Sequence, residues 1–156
     1  MTQMNYTCEL MNICMIIDSE KDMVLVQNRS KKNWQGVAFP GGHVDPDEGF
    51  GESVVREVYE ETGLTVRDLR LVGIVHWEHK QTRARSIIAC YKTEHFSGDL
   101  KKECNEGRHE WIPVSQLREQ KLAPWLDEQL AVFENDAVSE LFYAYDDEDV
   151  GKPRTF

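Results

Sequence analysis

The stretch GGHVDPDEGFGESVVREVYEETGL, residues 41–64, gathers carboxylates that repel one another at close range. Its glutamates are Glu48, Glu52, Glu57, Glu60 and Glu61. Arg56 is the only cation between the first and the last of them. Such a group is either the solvated face of a helix or the ligand set of a positive ion.

The second half of this stretch is predicted to be a helix over residues 53–62. Its apolar stripe consists of Val54, Val55 and Val58. Gly63 is expected to be the C-cap of this helix, and Gly51 is expected just outside its start.

The helical spacing can bring three of the acids together. Positions i, i+3 and i+4 project from one side of a helix, so Glu57, Glu60 and Glu61 can converge on one point. Like charges at this spacing cost about 0.2–0.5 kcal/mol per pair on an exposed helix. A hard divalent cation such as Mg²⁺ removes that cost because it prefers oxygen ligands. From these residues alone, a metal site and a solvated acidic face are equal alternatives.

The composition predicts one soluble globular domain. Of the 156 residues, 40% are hydrophobic and 29% are charged, which allows a hydrophobic core without disulfides. The formal net charge of −10 argues against bulk binding to nucleic-acid backbones, although a small phosphorylated substrate is compatible if a metal ion neutralises it. The four cysteines form no CxxC pair, and the N-terminal residues show no secretory or membrane-spanning pattern. We therefore expect a cytoplasmic protein without membrane association.

The apolar patterns outside the acidic stretch predict strands and one further helix. Leu126, Leu130 and Phe133 have helical spacing, so residues 124–135 are predicted to be the second helix. This order indicates an α+β domain, residues 1–145, whose helices pack on a mixed sheet. The acidic tail, residues 146–156, is predicted to be flexible. The predicted strands cover residues 10–17, 23–29, 37–42, 69–79, 85–96 and 109–117.

The spacing of the acids follows a known pattern, Gly-x5-Glu-x7-Arg-Glu-U-x-Glu-Glu-x-Gly-U, in which U is a bulky aliphatic residue. It is matched at every defined position by Gly42, Glu48, Arg56, Glu57, Val58, Glu60, Glu61, Gly63 and Leu64. This pattern is the Nudix box, so the chain resembles the Nudix hydrolases. The segment FPGGH, residues 39–43, is similar to that of the MutT-type members. The match is specific for the family and weak for the substrate.

The resemblance implies an α/β/α sandwich around a mixed sheet, with a metal-dependent active site. Glu57, Glu60 and Glu61, together with the carbonyl group of Gly42, would hold Mg²⁺ or Mn²⁺. A hard divalent ion is compatible with such an all-oxygen ligand set.

Neighbouring residues would support this site. Arg56 would pair with Glu48 and brace the loop against the helix, because a bidentate ion pair orients both partners. Gly41 and Gly42 would allow the backbone to approach the ion and the phosphates closely, with an ordinary turn after Pro40 as the alternative.

The proton of the attacking water would pass to a carboxylate, for which two candidates stand out. One is Glu57. The other is Glu106, because MutT-type proteins place a metal-binding glutamate in the loop before a Glu-Trp pair. The spacing in this chain is one residue shorter than in that pattern, so Glu103 and Glu110 compete with Glu106, and a solvated loop acid is the further alternative.

The resemblance also implies contacts with the substrate. Arg29 matches a phosphate-contacting arginine, with a surface cation as the equal alternative. Phe39 is either a wall of the base pocket or a core aromatic. MutT-type enzymes specific for oxidised guanine hold the base with an Asn near the start of the last helix, whereas Leu126 and Asp127 stand there in this chain. Further candidates for stacking on a base are Trp34, Trp77 and Trp125.

The leading hypothesis is a Mg²⁺-dependent pyrophosphohydrolase that converts a nucleoside triphosphate, such as oxidised 8-oxo-dGTP, to a monophosphate and pyrophosphate. Its role would be nucleotide-pool sanitation. The alternative within the family is hydrolysis of ADP-ribose, a nucleotide sugar, a dinucleoside polyphosphate or a capped RNA end. A non-catalytic nucleotide-sensing domain is a hypothesis of a different class. A homodimer is compatible with the sequence, and no pattern in it indicates one.

Overall fold

The computed structural model describes residues 5–156, and its elements largely follow the predicted order. The strands are β1 (Cys8–Asp18), β2 (Met23–Arg29), β3 (Gly36–Ala38), β4 (Gly41–His43), β5 (Thr65–Arg67), β6 (Arg70–His79), β7 (Arg85–Thr93), β8 (His95–Ser97), β9 (Glu103–Cys104), β10 (Gly107–Pro113), β11 (Glu140–Tyr145) and β12 (Arg154–Thr155). The helices are α1 (Phe50–Thr62), a 3-10 helix (Val114–Glu119) and α2 (Leu126–Glu134).

Ten of the described strands form one mixed sheet. Its order is β12-β11-β6-β7-β1-β2-β10-β9, with β3 beside β2 and β4 beside β1. The pairs β1–β7 and β6–β11 are parallel, and the remaining pairs are antiparallel. Strands β5 and β8 form a separate two-stranded sheet. The predicted mixed sheet is confirmed.

The two α-helices cover opposite faces of this sheet. Successive side chains of a strand point to opposite faces. Accordingly, Cys14 and Ile16 of β1 pack in a core cluster with Val58 of α1, whereas Met15 belongs to the cluster that contains Leu130 of α2. Burial of a side chain the size of Leu130 contributes about 1.5–3 kcal/mol. This arrangement is the α/β/α sandwich that the resemblance implied.

Helix α1 begins three residues earlier than predicted, at Phe50. Gly49 is its N-cap, and Glu52 Oε2 accepts the N–H of Gly49 at 2.8 Å, which satisfies a backbone donor at the helix start. The prediction that Gly51 lies just outside the helix is therefore wrong. Gly63 ends the helix in the left-handed conformation with φ 78°, as predicted.

The prediction of one continuous strand over residues 37–42 is wrong, because Phe39 and Pro40 separate β3 from β4. Strand β3 pairs with β2, and β4 pairs with β1. Pro40 has no N–H with which to continue a ladder, and its carbonyl accepts the N–H of Cys14 at 2.9 Å. The chain therefore passes from β2 to β1 at Phe39 and Pro40, and Gly41 and Gly42 lie beside β1.

Two segments near the C-terminus also differ from the sequence prediction. Residues 114–117 were predicted as strand and belong to the 3-10 helix that follows Pro113. Strand β11 was missed, although the aromatic-rich run ELFYAY is typical of a buried strand. The tail forms β12 against β11, and Phe156 O accepts the N–H groups of Ser139 and Glu140. Flexibility of this tail in solution stays a prediction. Within residues 5–156, no helix has the length and apolar character needed to cross a membrane.

Candidate active site

A buried polar link attaches the start of α1 to the sheet. Asn12 Nδ2 donates to Ser53 Oγ at 2.7 Å, and Ser53 Oγ donates to the His43 carbonyl at 3.1 Å. Asn12 is 1% exposed and Ser53 is fully buried. Because β1, β4 and α1 are joined at this point, Glu57 and Glu61 of α1 face the glycines of β4. Asn12 was not among the predicted site residues, although a polar residue inside the apolar run of β1 is a signal that the sequence contains.

Two acids of α1 lie against the backbone of the two glycines. A Cβ at Gly42 would stand 2.5 Å from the Glu57 carboxyl carbon. The N–H of Gly41 donates to Glu61 Oε2 at 3.1 Å. A Cβ at Gly41 would stand 2.1 Å from the Asn12 carbonyl oxygen, so close packing on β1 is a sufficient reason for that glycine.

The environment of Glu61 disfavours its charged form. Burial raises the pKa of Glu61 to about 7, and the neighbouring charges of Glu57 and Glu106 add to this. The N–H of Gly41 and the charge of Arg29 act in the opposite direction. Burial is therefore the main reason that Glu61 keeps its proton more readily than an ordinary carboxyl group.

Arg56 is the centre of an ion-pair network. Its Nε and Nη2 donate to Glu48 Oε1 and Oε2 at 2.7 and 2.9 Å, which is a bidentate pair. Its Nη1 donates to Glu57 Oε1 at 3.0 Å and to Glu60 Oε2 at 3.2 Å. Nη2 also donates to the His43 carbonyl at 3.0 Å. Arg56 thus joins the loop before α1 to two of the predicted metal ligands.

The same network sets the titration of Glu48. The hydrogen bonds from Arg56, followed by the backbone N–H of Asp45, lower the pKa of Glu48 to about 2. The Glu48 side chain is 14% exposed. A carboxylate held this firmly is suited to brace the loop.

The three predicted metal ligands share one helix face without meeting at one point. Glu57 and Glu61 lie at the glycines, whereas Glu60 is 58% exposed and contacts Arg56. In the part of the chain that the structure describes, no three His, Cys, Asp or Glu side chains form a group that could hold a metal ion as they stand. The donors are nevertheless carboxylates beside a glycine backbone, which fits a hard divalent cation such as Mg²⁺ or Mn²⁺.

Glu106 lies in the turn between β9 and β10, where Arg29 and Lys31 bind it. Arg29 Nη2 donates to Glu106 Oε2 at 2.5 Å, and Lys31 Nζ donates to Glu106 Oε1. The hydrogen bond from Lys31, followed by that from Arg29, lowers the pKa of Glu106 below its usual value. Arg29 and Glu106 were predicted as separate site residues, and neither their contact nor the ion pair with Lys31 was predicted from the sequence.

The other predicted substrate residues occupy different environments. Phe39 is 4% exposed and makes an edge-to-face contact with Phe133, with ring centroids 5.2 Å apart, which is the core-aromatic alternative. Leu126 is also a core residue, 4% exposed. Asp127 is exposed and pairs with Arg118 at 2.5 Å. These contacts do not join Phe39, Leu126 or Asp127 to the acids of α1.

A row of aromatic rings extends from the loop after β2 to β11. Trp34 contacts Trp125 with ring centroids 5.4 Å apart, and Trp125 contacts Trp77 at 5.2 Å. Trp77 stacks on Tyr143 at 3.9 Å, and the Tyr143 hydroxyl donates to Glu128 Oε2 at 2.9 Å. Trp34 is 45% exposed, so the row ends in an aromatic face that a planar ligand can reach.

The chain is similar to known proteins of one family. The model of the NUDIX domain family matches residues 10–133. Human diphosphoinositol polyphosphate phosphohydrolase 2 is 34% identical over 104 residues, which cover 65% of this chain and 55% of the relative. The ADP-ribose pyrophosphatase of Methanocaldococcus jannaschii is 28% identical over 102 residues, which cover 65% of this chain and 60% of the relative. The chain therefore spans little more than half the length of these relatives.

A solved structure extends the similarity of fold to nearly the whole chain. The MutT protein from Bacillus halodurans superposes with a TM-score of 0.76 at 22% identity, and the match covers 94% of this chain and 97% of that one. With an intact box, a matching fold and a family match over residues 10–133, the chain belongs to the Nudix family.

Proposed function

We propose that this chain is a divalent-metal-dependent hydrolase that cleaves the diphosphate bond of a nucleoside diphosphate derivative. The observation that carries the proposal is the placement of Glu57 and Glu61 against the backbone of Gly42 and Gly41 within an intact Nudix box. Carboxylates beside a glycine backbone provide oxygen ligands with room for phosphates.

Glu57, Glu60 and Glu61, with the carbonyl of Gly42, would hold the metal, with Mg²⁺ as the first candidate and Mn²⁺ as the second. The metal would neutralise charge on the phosphate oxygens and acidify a water molecule. Glu60 would have to turn away from Arg56 to join the other two acids. Its exposed side chain has room for that change of rotamer.

In this proposal Arg56 and Glu48 position the acids rather than react. Their bidentate pair holds the loop before α1, and the contact of Arg56 with Glu57 orients one ligand. Glu57 would accept the proton of the water as it attacks phosphorus, and the bond from phosphorus to the bridging oxygen would break. Glu106 is the second candidate for the base, but it must first leave Arg29 and Lys31.

For the substrate we propose a nucleoside triphosphate, such as an oxidised guanine nucleotide, with a monophosphate and pyrophosphate as products. The similarity of fold to a MutT protein and the exposed face of Trp34 support a substrate with a planar base. Arg29 would contact a phosphate. A cytoplasmic role in nucleotide-pool sanitation belongs to the same proposal, and cell fractionation tests the location.

The second candidate is hydrolysis of a diphosphate on another carrier. It is supported by the similarity to relatives that are named for diphosphoinositol polyphosphates and for ADP-ribose. The cations Arg29 and Lys31 beside the site are compatible with a more highly phosphorylated substrate.

The test is a substrate panel with Mg²⁺, in which the products are resolved by chromatography. It contains nucleoside triphosphates with normal and oxidised bases, ADP-ribose and a diphosphoinositol polyphosphate. Pyrophosphate from a triphosphate supports the first candidate, and cleavage of another member supports the second. Tight binding without cleavage would support a sensing domain. Turnover that persists in excess EDTA would contradict the whole proposal.

A further inference from the structure

The acidic residues after β11 form an ordered turn. Asp146 Oδ1 accepts the N–H groups of Glu148 and Asp149 at 3.1 and 2.9 Å, and the N–H of Asp146 donates to the Asp149 carbonyl at 3.0 Å. Lys80 Nζ donates to Asp146 Oδ2 at 2.9 Å, which anchors the turn to the loop after β6. An aspartate that binds the backbone N–H groups just ahead of it is typical of a turn. Asp146 thus directs the chain back toward β11.

The segment beyond this turn, residues 150–156, lies along the outer edge of β11. Glu140 exchanges two backbone hydrogen bonds with Phe156, whose N–H donates at 3.0 Å and whose carbonyl accepts at 3.1 Å. Phe142 lies opposite Arg154, and hydrogen-bonded pairs recur at every second residue of an antiparallel ladder. The outer edge of β11 is thereby covered by the chain's own C-terminal segment.

The backbone groups on this outer edge belong to alternate residues of β11. After Glu140 and Phe142, the next is Ala144, whose carbonyl accepts the N–H of Gly151 at 3.2 Å. The carbonyl of the adjacent Tyr145 instead accepts a hydrogen bond from the side of β6. Because the N–H and C=O groups of one strand residue point to the same side, three residues of β11 can pair with a further strand.

Few side chains hold the segment 150–156 on the sheet. Arg154 and Thr155 are exposed, and Phe156 is 61% exposed. The Arg154 guanidinium lies over the Phe142 ring, 4.8 Å from its centroid. A segment that buries little apolar surface opens locally at a small cost in free energy. Its opening exposes the edge of β11, and an uncovered strand edge is a template for another strand.

We propose that the outer edge of β11 is a self-association surface, for which residues 150–156 compete with β11 of a second copy of this chain. With the segment docked the edge is closed, and with the segment released two copies pair edge to edge. A two-fold axis makes such a contact self-complementary, since each copy presents the same strand. This proposal does not depend on the proposed hydrolase function.

The sequence of β11 suits an antiparallel pair with its own copy. When Phe142 lies opposite Phe142 of the second copy, Glu140 lies opposite Ala144, and all three outward-facing residues form hydrogen-bonded pairs. The two phenylalanine rings become cross-strand neighbours, which is a stabilising pair. The two glutamates are four residues apart along the strands, or about 14 Å. That distance exceeds the screening length of about 8 Å at physiological ionic strength, so their repulsion is weak.

The test compares Asp146→Ala with Asp147→Ala, which removes the same charge from the same turn. The Asp146 side chain is 20% exposed and holds the turn, whereas that of Asp147 is 91% exposed and contacts His79. Asp146→Ala should release the segment more often, so amide hydrogen exchange at Glu140 and Phe142 should accelerate about tenfold. Asp147→Ala should change these rates less than about twofold. Exchange is measured in dilute protein, where association plays no part.

Sedimentation equilibrium over a concentration series measures the association. Both copies must open, so the open population enters the dimer association constant squared. Asp146→Ala should therefore reach half-association at a concentration about a hundredfold below that of the wild type. Asp147→Ala should match the wild type, and a chain that lacks residues 150–156 should associate most strongly. Adding Ala144→Pro should abolish the gain, because it removes an outward N–H that pairing with β6 does not use.

Thermal unfolding checks that each variant is folded. If the proline variant does not fold, a synthetic peptide of residues 148–156 replaces it, and this peptide should dissociate the dimer of the truncated chain. Faster exchange in Asp146→Ala without a rise in mass would overturn the proposal. Equal effects of Asp146→Ala and Asp147→Ala would also overturn it, as would association that Ala144→Pro or the peptide leaves unchanged.

Discussion

The carboxyl group of Glu57 lies where a side chain at residue 42 would have to be. A Cβ at Gly42 would come within 2.5 Å of the Glu57 carboxyl carbon, a separation at which one of the two groups must move. Gly42 thus determines whether Glu57 can lie against β4, and this contact connects the glycine segment of the Nudix box with its acidic helix.

Gly42→Ala should displace Glu57 and abolish most hydrolysis, with a loss of about 1–3 kcal/mol in the free energy of unfolding. Turnover and chemical denaturation measure the two effects. The control is Gly51→Ala, because nothing lies within 4 Å of a Cβ at Gly51. Gly51 lies in the first turn of α1, so that change should stabilise the chain by at most about 0.5 kcal/mol, less than in a helix interior, without loss of activity. Unchanged turnover in Gly42→Ala would show that the position of Glu57 does not matter for catalysis.

Glu61→Gln should reduce turnover by about two orders of magnitude or more while the chain stays folded, because a ligand charge is lost from the metal site. Turnover with Mg²⁺ and the thermal unfolding curve in EDTA give the two readouts. Glu52→Gln is the control on the same helix, since an amide oxygen can still accept the N–H of Gly49. If both variants lose activity alike, the effect comes from the helix and not from the metal site.

Glu48→Gln should lower the melting temperature at neutral pH, because it removes the charged half of the pair with Arg56. The pKa of Glu48 falls from 4.5 to about 2 in the folded chain. A lowered pKa means that the pair stabilises the fold above the unfolded value and that this stabilisation is lost as pH falls toward 2.

The difference in melting temperature between the wild type and Glu48→Gln should therefore shrink between pH 4.5 and about 2. Calorimetric scans at several pH values measure it. Glu20→Gln, at an exposed position of the turn between β1 and β2, should show no such dependence. A difference that stays constant down to pH 2 would contradict the role of the ion pair.

Trp34→Ala should raise the KM for a nucleoside triphosphate by about three- to tenfold, the range expected from the loss of one stacking contact. Its effect on the hydrolysis of substrates without an aromatic base should be small. Trp34→Phe keeps a ring at this position and should retain most of the affinity. If KM rises equally for substrates with and without an aromatic base, Trp34 supports the conformation of its loop and does not stack on a base.

Local patterns accounted for helix α1, the box and the long strands β1, β2, β6, β7 and β10. The spacing of Glu57, Glu60 and Glu61 depends only on the helical repeat, and Gly63 ends α1 because a left-handed residue favours glycine. Strand β2 was predicted with its exact bounds, because an apolar run between polar turns is a local signal.

The tertiary structure alone decided which distant residues meet. Arg29 and Glu106 are 77 positions apart, and Gly42 faces Glu57 only because Asn12, Ser53 and His43 join β1, α1 and β4. Strand register and helix docking set such contacts, and a shift of one residue along a strand would turn every side chain to the other face. A local pattern therefore supplies the acids, while long-range packing determines what each of them touches.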